Sequence, residues 1–243
     1  MPLLEISNVS VRYGAVTAVR DFSGSVGDGD VVVVLGANGA GKSSLLRSIV
    51  GLAPKAGGRV TFDGKDITRW RTNRISRAGI ALVPEGRRIF SPLSVQDNLL
   101  LGGYGNTNRA EKARLLSEIY ERFPVLAERR DRQAGLLSGG EQQMLAFGRA
   151  LMSAPRLMMM DEPSMGLAPV AVDKVMSTVE SIAASGIAVL MVEQNAAMAQ
   201  DLATSAIVME RGEIIEVDST GRVKAGVGGL SGFVDLPDEP ADH

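Results

Sequence analysis

The sequence contains no cysteine, few aromatic residues and a single histidine, His243. Without cysteine the chain can form neither disulfides nor zinc–thiolate sites, and it has no thiol nucleophile. Its net charge of −2 gives no general attraction for nucleic acids. The longest apolar runs, such as residues 187–192, are far shorter than the roughly 18 residues that a membrane-spanning helix needs. We therefore expect a globular chain that neither crosses a membrane nor binds nucleic acid.

Strand and helix patterns alternate along the chain. Residues 3–35 predict short strands broken at YG, GS and GDGD, ending in the apolar run VVVVL. The apolar runs at 79–84, 156–160 and 187–192 predict further strands, of which the last two are buried and parallel. Proline at its first position predicts a helix over about 169–184, between those two strands. This alternation is typical of an α/β architecture.

Two hairpins and one helical block complete the pattern. Residues 61–67 and 206–215 predict hairpins, and helical patterns dominate about 94–154. We interpret residues 1–243 as a single domain with an inserted helical subdomain at about 94–154. The last stretch, about 221–243, forms a C-terminal tail to which the sequence assigns no role. The basic run 65–77 is interpreted as a solvated face, with contact to a partner or to lipid headgroups as the alternative.

A glycine-rich loop follows the VVVVL strand and precedes a helical pattern. It matches G-x-x-x-x-G-K-[ST], whose backbone N–H groups cradle phosphate oxygens at a helix N-terminus. Lysine in this motif reaches the β- and γ-phosphates, and the following hydroxyl ligates Mg²⁺. A chance match in a glycine-rich turn is the alternative, but the strand before and the helix after it favour nucleoside triphosphate binding. The predicted ATP-binding residues are Gly36, Ala37, Asn38, Gly39, Ala40, Gly41, Lys42, Ser43 and Ser44.

Two acidic residues close the RLMMM strand. Asp161 is the candidate carboxylate for Mg²⁺, and Glu162 is the candidate base that polarises a water toward the γ-phosphate. The alternative is that Glu162 has no role in hydrolysis and forms an ion pair with a nearby lysine or arginine. Adjacent acids at the end of a strand favour hydrolysis over binding alone. The three methionines before them are interpreted as core packing.

The segment LLSGGEQQ predicts a helix start with an unusual composition. Ser138 at the N-cap and Glu141 three residues later form a capping-box pattern. Gly139 and Gly140 in the first turn cost roughly 1 kcal/mol each relative to alanine. Either another group comes close to this backbone or the stretch is a loop.

The combination of the phosphate loop, LSGGEQQ and RLMMMDEP resembles the ATP-binding cassette family over about residues 3–220. The resemblance implies an α/β P-loop NTPase with a mixed sheet core, an N-terminal antiparallel β subdomain and an inserted α-helical subdomain. It also implies a head-to-tail dimer in which the signature residues of one chain contact ATP bound by the other. The residues implied in that contact are Ser138, Gly139, Gly140 and Glu141.

Three further positions follow from the resemblance. Tyr13 lies where the family places an aromatic residue that stacks on adenine, although it could be an ordinary strand tyrosine. Glu85 replaces the glutamine that usually contacts Mg²⁺, which adds a negative charge there. Gln194 replaces the usual histidine near the γ-phosphate, and the only histidine, His243, lies at the chain end. ATP and Mg²⁺ are the implied cofactors.

Four segments, VPEGRRIF, LSGGEQQMLAFGRALM, EPSMGLAP and VEQNA, resemble one ATPase subunit, the LivF type, of branched-chain amino acid importers. Related amide and urea importers are the nearest alternative. The resemblance implies a second ATPase subunit, either a sister subunit or a second copy, as partner. It further implies two integral-membrane permeases and, indirectly, a solute-binding protein. The chain would then lie at the cytoplasmic face of the membrane through its permeases.

Two classes outside transport share these motifs. DNA-repair and chromosome ATPases insert a long coiled coil between phosphate loop and signature, and the interval from Gly36 to Ser138 has no room for it. Translation-associated cassette proteins usually carry two cassettes, whereas this sequence has one phosphate loop. Neighbouring permease and binding-protein genes would favour transport.

Overall fold

The computed structural model describes residues 1–106, 108–196 and 202–218. The strands are β1 (Leu4–Tyr13), β2 (Val16–Val26), β3 (Val31–Leu35), β4 (Lys55–Phe62), β5 (Lys65–Asp66), β6 (Ile80–Val83), β7 (Leu157–Asp161), β8 (Ala188–Glu193), β9 (Ser205–Glu210) and β10 (Glu213–Asp218). The helices are α1 (Lys42–Ile49), α2 (Thr72–Arg77), α3 (Val95–Gly102), α4 (Arg109–Arg122), α5 (Pro124–Glu128), α6 (Gly139–Leu151) and α7 (Pro169–Ala184). The predicted tail from about residue 221 lies outside the described residues.

The strands form two sheets. One is antiparallel with the order β2-β1-β4-β5, and the other has the order β10-β9-β3-β8-β7-β6. In the second sheet β9, β3, β8, β7 and β6 are parallel, while β10 pairs antiparallel with β9. The carboxyl ends of β3, β8 and β7 therefore meet at one edge, which is where ligands bind in open α/β sheets. The expected α/β fold with its antiparallel and mixed sheets is confirmed.

The expected break at Gly24-Ser25 is wrong, because β2 continues through it to Val26. Gly24 pairs with Ile6 of β1. A Cβ atom at residue 24 would lie 3.2 Å from Ile207 Cδ1 and 3.3 Å from the Phe22 ring. The glycine thus allows close packing of the antiparallel sheet against β9. A glycine in a strand marks either a break or a close approach, and the sequence alone does not distinguish them.

Alternate residues of β3 enter two different cores. Val31, Val33 and Leu35 pack in one core with apolar residues of α6 and α7. Val32 and Val34 pack in the other with α1 and the antiparallel sheet. All five residues are buried, as a strand covered on both faces requires.

The methionines of β7 have the same alternation. Met158 and Met160 belong to the core beneath α6 and α7, and Met159 belongs to the core beneath α1. All three are fully buried. The interpretation of these methionines as core packing is confirmed. None of the described helices is long and apolar enough to span a membrane.

Candidate active site

The loop after β3 encloses the amino end of α1. Gly41, with φ of 104°, is the residue before the first turn of α1, and Gly39 has φ of 83°. A Cβ at residue 41 would lie 2.2 Å from the carbonyl oxygen of Ala18, so only glycine fits there. A cavity of about 320 Å³ opens over this loop. It is lined by Ala18, residues 38–44, Glu85, Glu162 and Met165.

The side chain of Lys42 lies inside the loop and is only 3% exposed. Its Nζ donates hydrogen bonds to the carbonyl oxygens of Gly36 (2.7 Å) and Ala37 (3.1 Å). It also lies 3.0 Å from Glu162 Oε1. The ion pair that the sequence left open as the alternative role of Glu162 is therefore present. It brings the candidate base and the candidate phosphate-binding cation together at the cavity.

Asp161 at the end of β7 faces the first turn of α1. The Ser43 hydroxyl donates a 2.7 Å hydrogen bond to Asp161 Oδ1. Burial raises the pKa of Asp161, while this hydrogen bond and the charge of Arg47 oppose the rise. Hydroxyl and carboxylate oxygens are suitable Mg²⁺ ligands when phosphates and water complete the coordination. In the described chain, no group of three or more acidic or histidine side chains forms a metal site by itself.

Arg47 is a residue that the sequence analysis did not include in the site. Its Nη2 lies 3.8 Å from Asp161 Oδ2 and 3.9 Å from Glu85 Oε2. A guanidinium between these two carboxylates offsets their mutual repulsion. This contact accounts for how the extra negative charge of Glu85 is accommodated beside Asp161. Arginine is common on exposed helix faces, so its sequence position gave no signal of this contact.

Glu162 has a left-handed backbone, with φ of 47°. Such a conformation is uncommon for a residue with a side chain. Its N–H donates to the carbonyl oxygen of Val192 in β8 at 3.1 Å. As a result the Glu162 side chain, about 10% exposed, points to Lys42 and does not follow the alternating side-chain directions of β7.

Glu193 was also missed, although it ends the apolar run of β8. Its carboxylate is buried and accepts hydrogen bonds from the backbone N–H groups of Ser164 (3.1 Å) and Gln194 (3.3 Å). Burial raises the pKa of Glu193, and the bonds from Ser164 and Gln194 oppose that rise. Gln194 itself is exposed. The sequence signal that could have identified Glu193 is an acidic residue directly after five apolar positions.

The signature segment begins α6 as the capping-box pattern predicts. The Ser138 side chain accepts from Glu141 N, and Glu141 Oε2 accepts from Ser138 N at 2.8 Å. Arg129 lies 3.2 Å from the same carboxylate oxygen. Although burial favours a higher pKa for Glu141, the Ser138 hydrogen bonds and the Arg129 charge hold that pKa below its usual value.

The two signature glycines also have neighbours within the chain. A Cβ at Gly139 would lie 3.3 Å from Leu167 Cδ2, and one at Gly140 would lie 3.3 Å from Ala171 Cβ. The start of α6 therefore packs closely on the segment between β7 and α7 and on the first turn of α7. None of residues 138–141 lines the cavity over the phosphate loop.

Tyr13 ends β1 and is 44% exposed. It pairs with Val16, two residues before Ala18, which lines the cavity. The tyrosine itself is not among the lining residues, so its predicted contact with adenine stays a prediction.

Comparison with known proteins adds to this geometry. Residues 19–165 match the ABC transporter family model. The chain is 43% identical over 217 residues to the high-affinity branched-chain amino acid transport ATP-binding protein BraG of Pseudomonas aeruginosa, covering 89% of this chain and 93% of the relative. It is 31% identical to a probable branched-chain amino acid transport ATP-binding protein LivF of Archaeoglobus fulgidus, covering 87% and 90%.

Among solved structures, the ADP conformation of an ATP-binding cassette of an ABC transporter is similar to this chain. The TM-score is 0.82 at 31% identity, covering 89% of this chain and 91% of the other. The family match, the two relatives and the similar solved structure thus agree with the sequence motifs and with the fold. The chain belongs to the ABC transporter family, and it is an ATPase built on an ATP-binding cassette.

Proposed function

We propose that this chain powers an importer of branched-chain amino acids. The observation that supports the solute class is the 43% identity with BraG over 89% of the chain. An amide or urea importer is the second candidate, because those ATPases have similar motifs. The chain would act at the cytoplasmic face of the membrane with two permease subunits and, through them, a solute-binding protein.

In the proposed reaction Lys42 binds the β- and γ-phosphates and Glu162 accepts the proton of the attacking water. The water oxygen bonds to the γ-phosphorus, and the bond from that phosphorus to the bridging oxygen of ADP breaks. Because Lys42 and Glu162 are 3.0 Å apart, bound ATP would compete with this carboxylate for Lys42. Gln194 would contact the γ-phosphate without supplying a proton.

The 2.7 Å contact between Ser43 and Asp161 supports these two residues as the ligands of Mg²⁺. When bound, the metal would neutralise charge on the phosphate oxygens. Glu85 is the third candidate ligand of Mg²⁺. Its carboxylate contacts Arg47, and binding of Mg²⁺ would either break this contact or leave it in place.

We further propose head-to-tail pairing, with a sister ATPase subunit or a second copy, through the start of α6. The first N–H groups of a helix have no intrahelical partner, and the helix dipole favours negative charge there. The capping box fixes this end of α6, and Ser138 is exposed. The γ-phosphate of ATP on the opposite chain is the proposed ligand of Ser138, Gly139 and Gly140.

Replacing Ser138 with arginine tests this pairing. The isolated Ser138→Arg chain is expected to bind ATP as the wild type does, because residues 138–141 do not line its own cavity. ATP-dependent pairing should be lost, since the larger side chain would enter the partner's site. Equilibrium ATP binding and sedimentation with ATP measure the two properties. Loss of ATP binding by the single chain would contradict the contact across the dimer.

An apolar groove of about 610 Å³ supports a permease partner. Leu52, Phe90, Leu101 and Tyr104 line it and are exposed, Tyr104 by 87%. Exposed apolar surface of this kind marks interaction sites. The groove also borders residues 84–90, whose Glu85 lines the nucleotide cavity. A permease segment in this groove would therefore lie next to the loop that reaches the nucleotide.

The solute class is tested by reconstitution. The chain is co-produced with the permeases and the solute-binding protein of a branched-chain amino acid importer and placed in liposomes with ATP. Leucine, isoleucine or valine, delivered on the binding protein, is expected to raise ATP turnover and to accumulate. Stimulation by urea or short amides alone would favour the second candidate and contradict the first.

Replacing Tyr13 with alanine tests the adenine contact. Stacking uses the face of the base, so the Tyr13→Ala chain is expected to lose affinity for ATP and GTP alike. The loss is about 1–3 kcal/mol by analogy with base–aromatic contacts in nucleic acid binding. Titration with both nucleotides measures it, and Tyr104→Ala, in the groove, serves as the control. A loss confined to ATP would contradict stacking.

A further inference from the structure

Glu193 occupies the end of the central strand between β3 and β7. The five positions before it in β8 are apolar and buried, and Glu193 itself is only 2% exposed. No lysine or arginine of the described residues pairs with it. An apolar side chain would fill the same position without burying a charge, so packing alone does not account for a glutamate there.

The two hydrogen bonds of Glu193 extend the contact between β7 and β8 beyond the paired strands. The last paired residues are Asp161 and Val192. Next, Glu162 N donates to Val192 O at 3.1 Å. Then Ser164 N donates to Glu193 Oε1 at 3.1 Å, where a side chain takes the place of a backbone carbonyl. Glu162 thus donates one of these hydrogen bonds to β8 itself, and the residue two positions later donates the next.

The second carboxylate oxygen of Glu193, Oε2, contacts the backbone directly after β8. Gln194 N donates to Glu193 Oε2 at 3.3 Å. One buried side chain therefore joins the residue two positions after Glu162 to the residue that replaces the family's histidine. Since Glu162 has a left-handed backbone, its side chain direction depends on the residues on both sides of it staying fixed.

We propose that Glu193 is a positioning residue for ATP hydrolysis: its carboxylate holds the backbone at Ser164 and Gln194 and so fixes Glu162 at the nucleotide. This inference rests on the proposed role of Glu162, which the Glu162→Gln variant tests separately. Because it concerns turnover rather than the solute, a wrong solute class would leave it intact.

The test compares Glu193→Gln with Asp30→Asn in the full chain. Asp30 also accepts a backbone N–H, from Gly27 at 2.7 Å, but in a turn remote from the cavity. Glutamine has only one acceptor oxygen for the N–H groups of Ser164 and Gln194, so one of the two hydrogen bonds is lost. Turnover at saturating ATP should fall about tenfold, the worth of one hydrogen bond, with KM and single-chain ATP binding unchanged. Asp30→Asn should retain wild-type turnover.

A second variant separates positioning from folding. Glu193→Leu removes both acceptors, which destabilises, and also the buried charge, which stabilises. Its thermal unfolding midpoint should therefore change little, whereas its turnover should fall further than that of Glu193→Gln. Amide hydrogen exchange should increase in the peptides that contain Ser164 and Gln194. Wild-type turnover in either Glu193 variant would overturn the proposal. A parallel loss of unfolding midpoint, ATP binding and turnover would also overturn it, because Glu193 would then be structural only.

Discussion

Replacing Glu162 with glutamine is expected to lower ATP turnover by a factor on the order of 10²–10⁴, the usual contribution of a general base. Glutamine keeps the shape of the side chain but cannot accept the proton of the attacking water. Binding should persist, because Lys42 keeps its bonds to the carbonyls of Gly36 and Ala37. The variant should therefore accumulate as an ATP-bound pair. Phosphate release and sedimentation with ATP measure the two effects.

Gln194→Ala is the matched comparison for this variant. Its expected cost is about tenfold, because one neutral hydrogen bond contributes only about 0.5–1.5 kcal/mol. Both variants must be measured at the composite site that contains this chain's own Glu162. Equal losses in the two variants would contradict the assignment of the base role to Glu162. So would a Glu162→Gln chain that turns over ATP like the wild type.

Replacing Lys42 with alanine is expected to weaken ATP binding on the order of 10- to 100-fold, the range of one hydrogen bond to a charged group. Lys42 is buried inside the loop. Among the described residues, no other lysine or arginine lines the cavity and could replace it. Turnover should be lost as well. Equilibrium titration with ATP and Mg²⁺ measures the affinity, and the exposed Lys65→Ala serves as the control.

The same change leaves Glu162 without its cation, and an unpaired buried carboxylate destabilises a fold. The double variant Lys42→Ala with Glu162→Gln removes that carboxylate and should recover the thermal unfolding midpoint without recovering ATP affinity. Near wild-type affinity in either variant would contradict the phosphate-binding role of Lys42.

Much of this site could be predicted because its parts are local in sequence. The phosphate loop needs glycine at positions where φ is positive, and the acids directly follow a buried strand. Parallel strands with carboxyl ends at one edge then bring Ser43 to within 2.7 Å of Asp161, although they are far apart in the chain. Helix α7 begins at Pro169 and the capping box forms at Ser138, since both signals act within one turn.

The missed features depend on contacts between distant segments. Whether Gly24 ends a strand or lies against Ile207 depends on how the two sheets pack. The position of Arg47 between Asp161 and Glu85 depends on the path of residues 84–90. Glu193 is visible in the sequence as an acid after an apolar run, but its bond to Ser164 depends on how the segment after β7 lies against the end of β8. Pattern and composition carry no information on such pairs.

The division of β3 between two cores has a consequence for how the protein unfolds. Strands β7 and β8 are divided in the same way, with Met158 and Val189 in one core and Met159 and Leu190 in the other. Neither core can be lost while the other stays packed, because both are built on the same three strands. The two sheets should therefore melt as one cooperative unit, and ATP at the ends of these strands should stabilise both layers together.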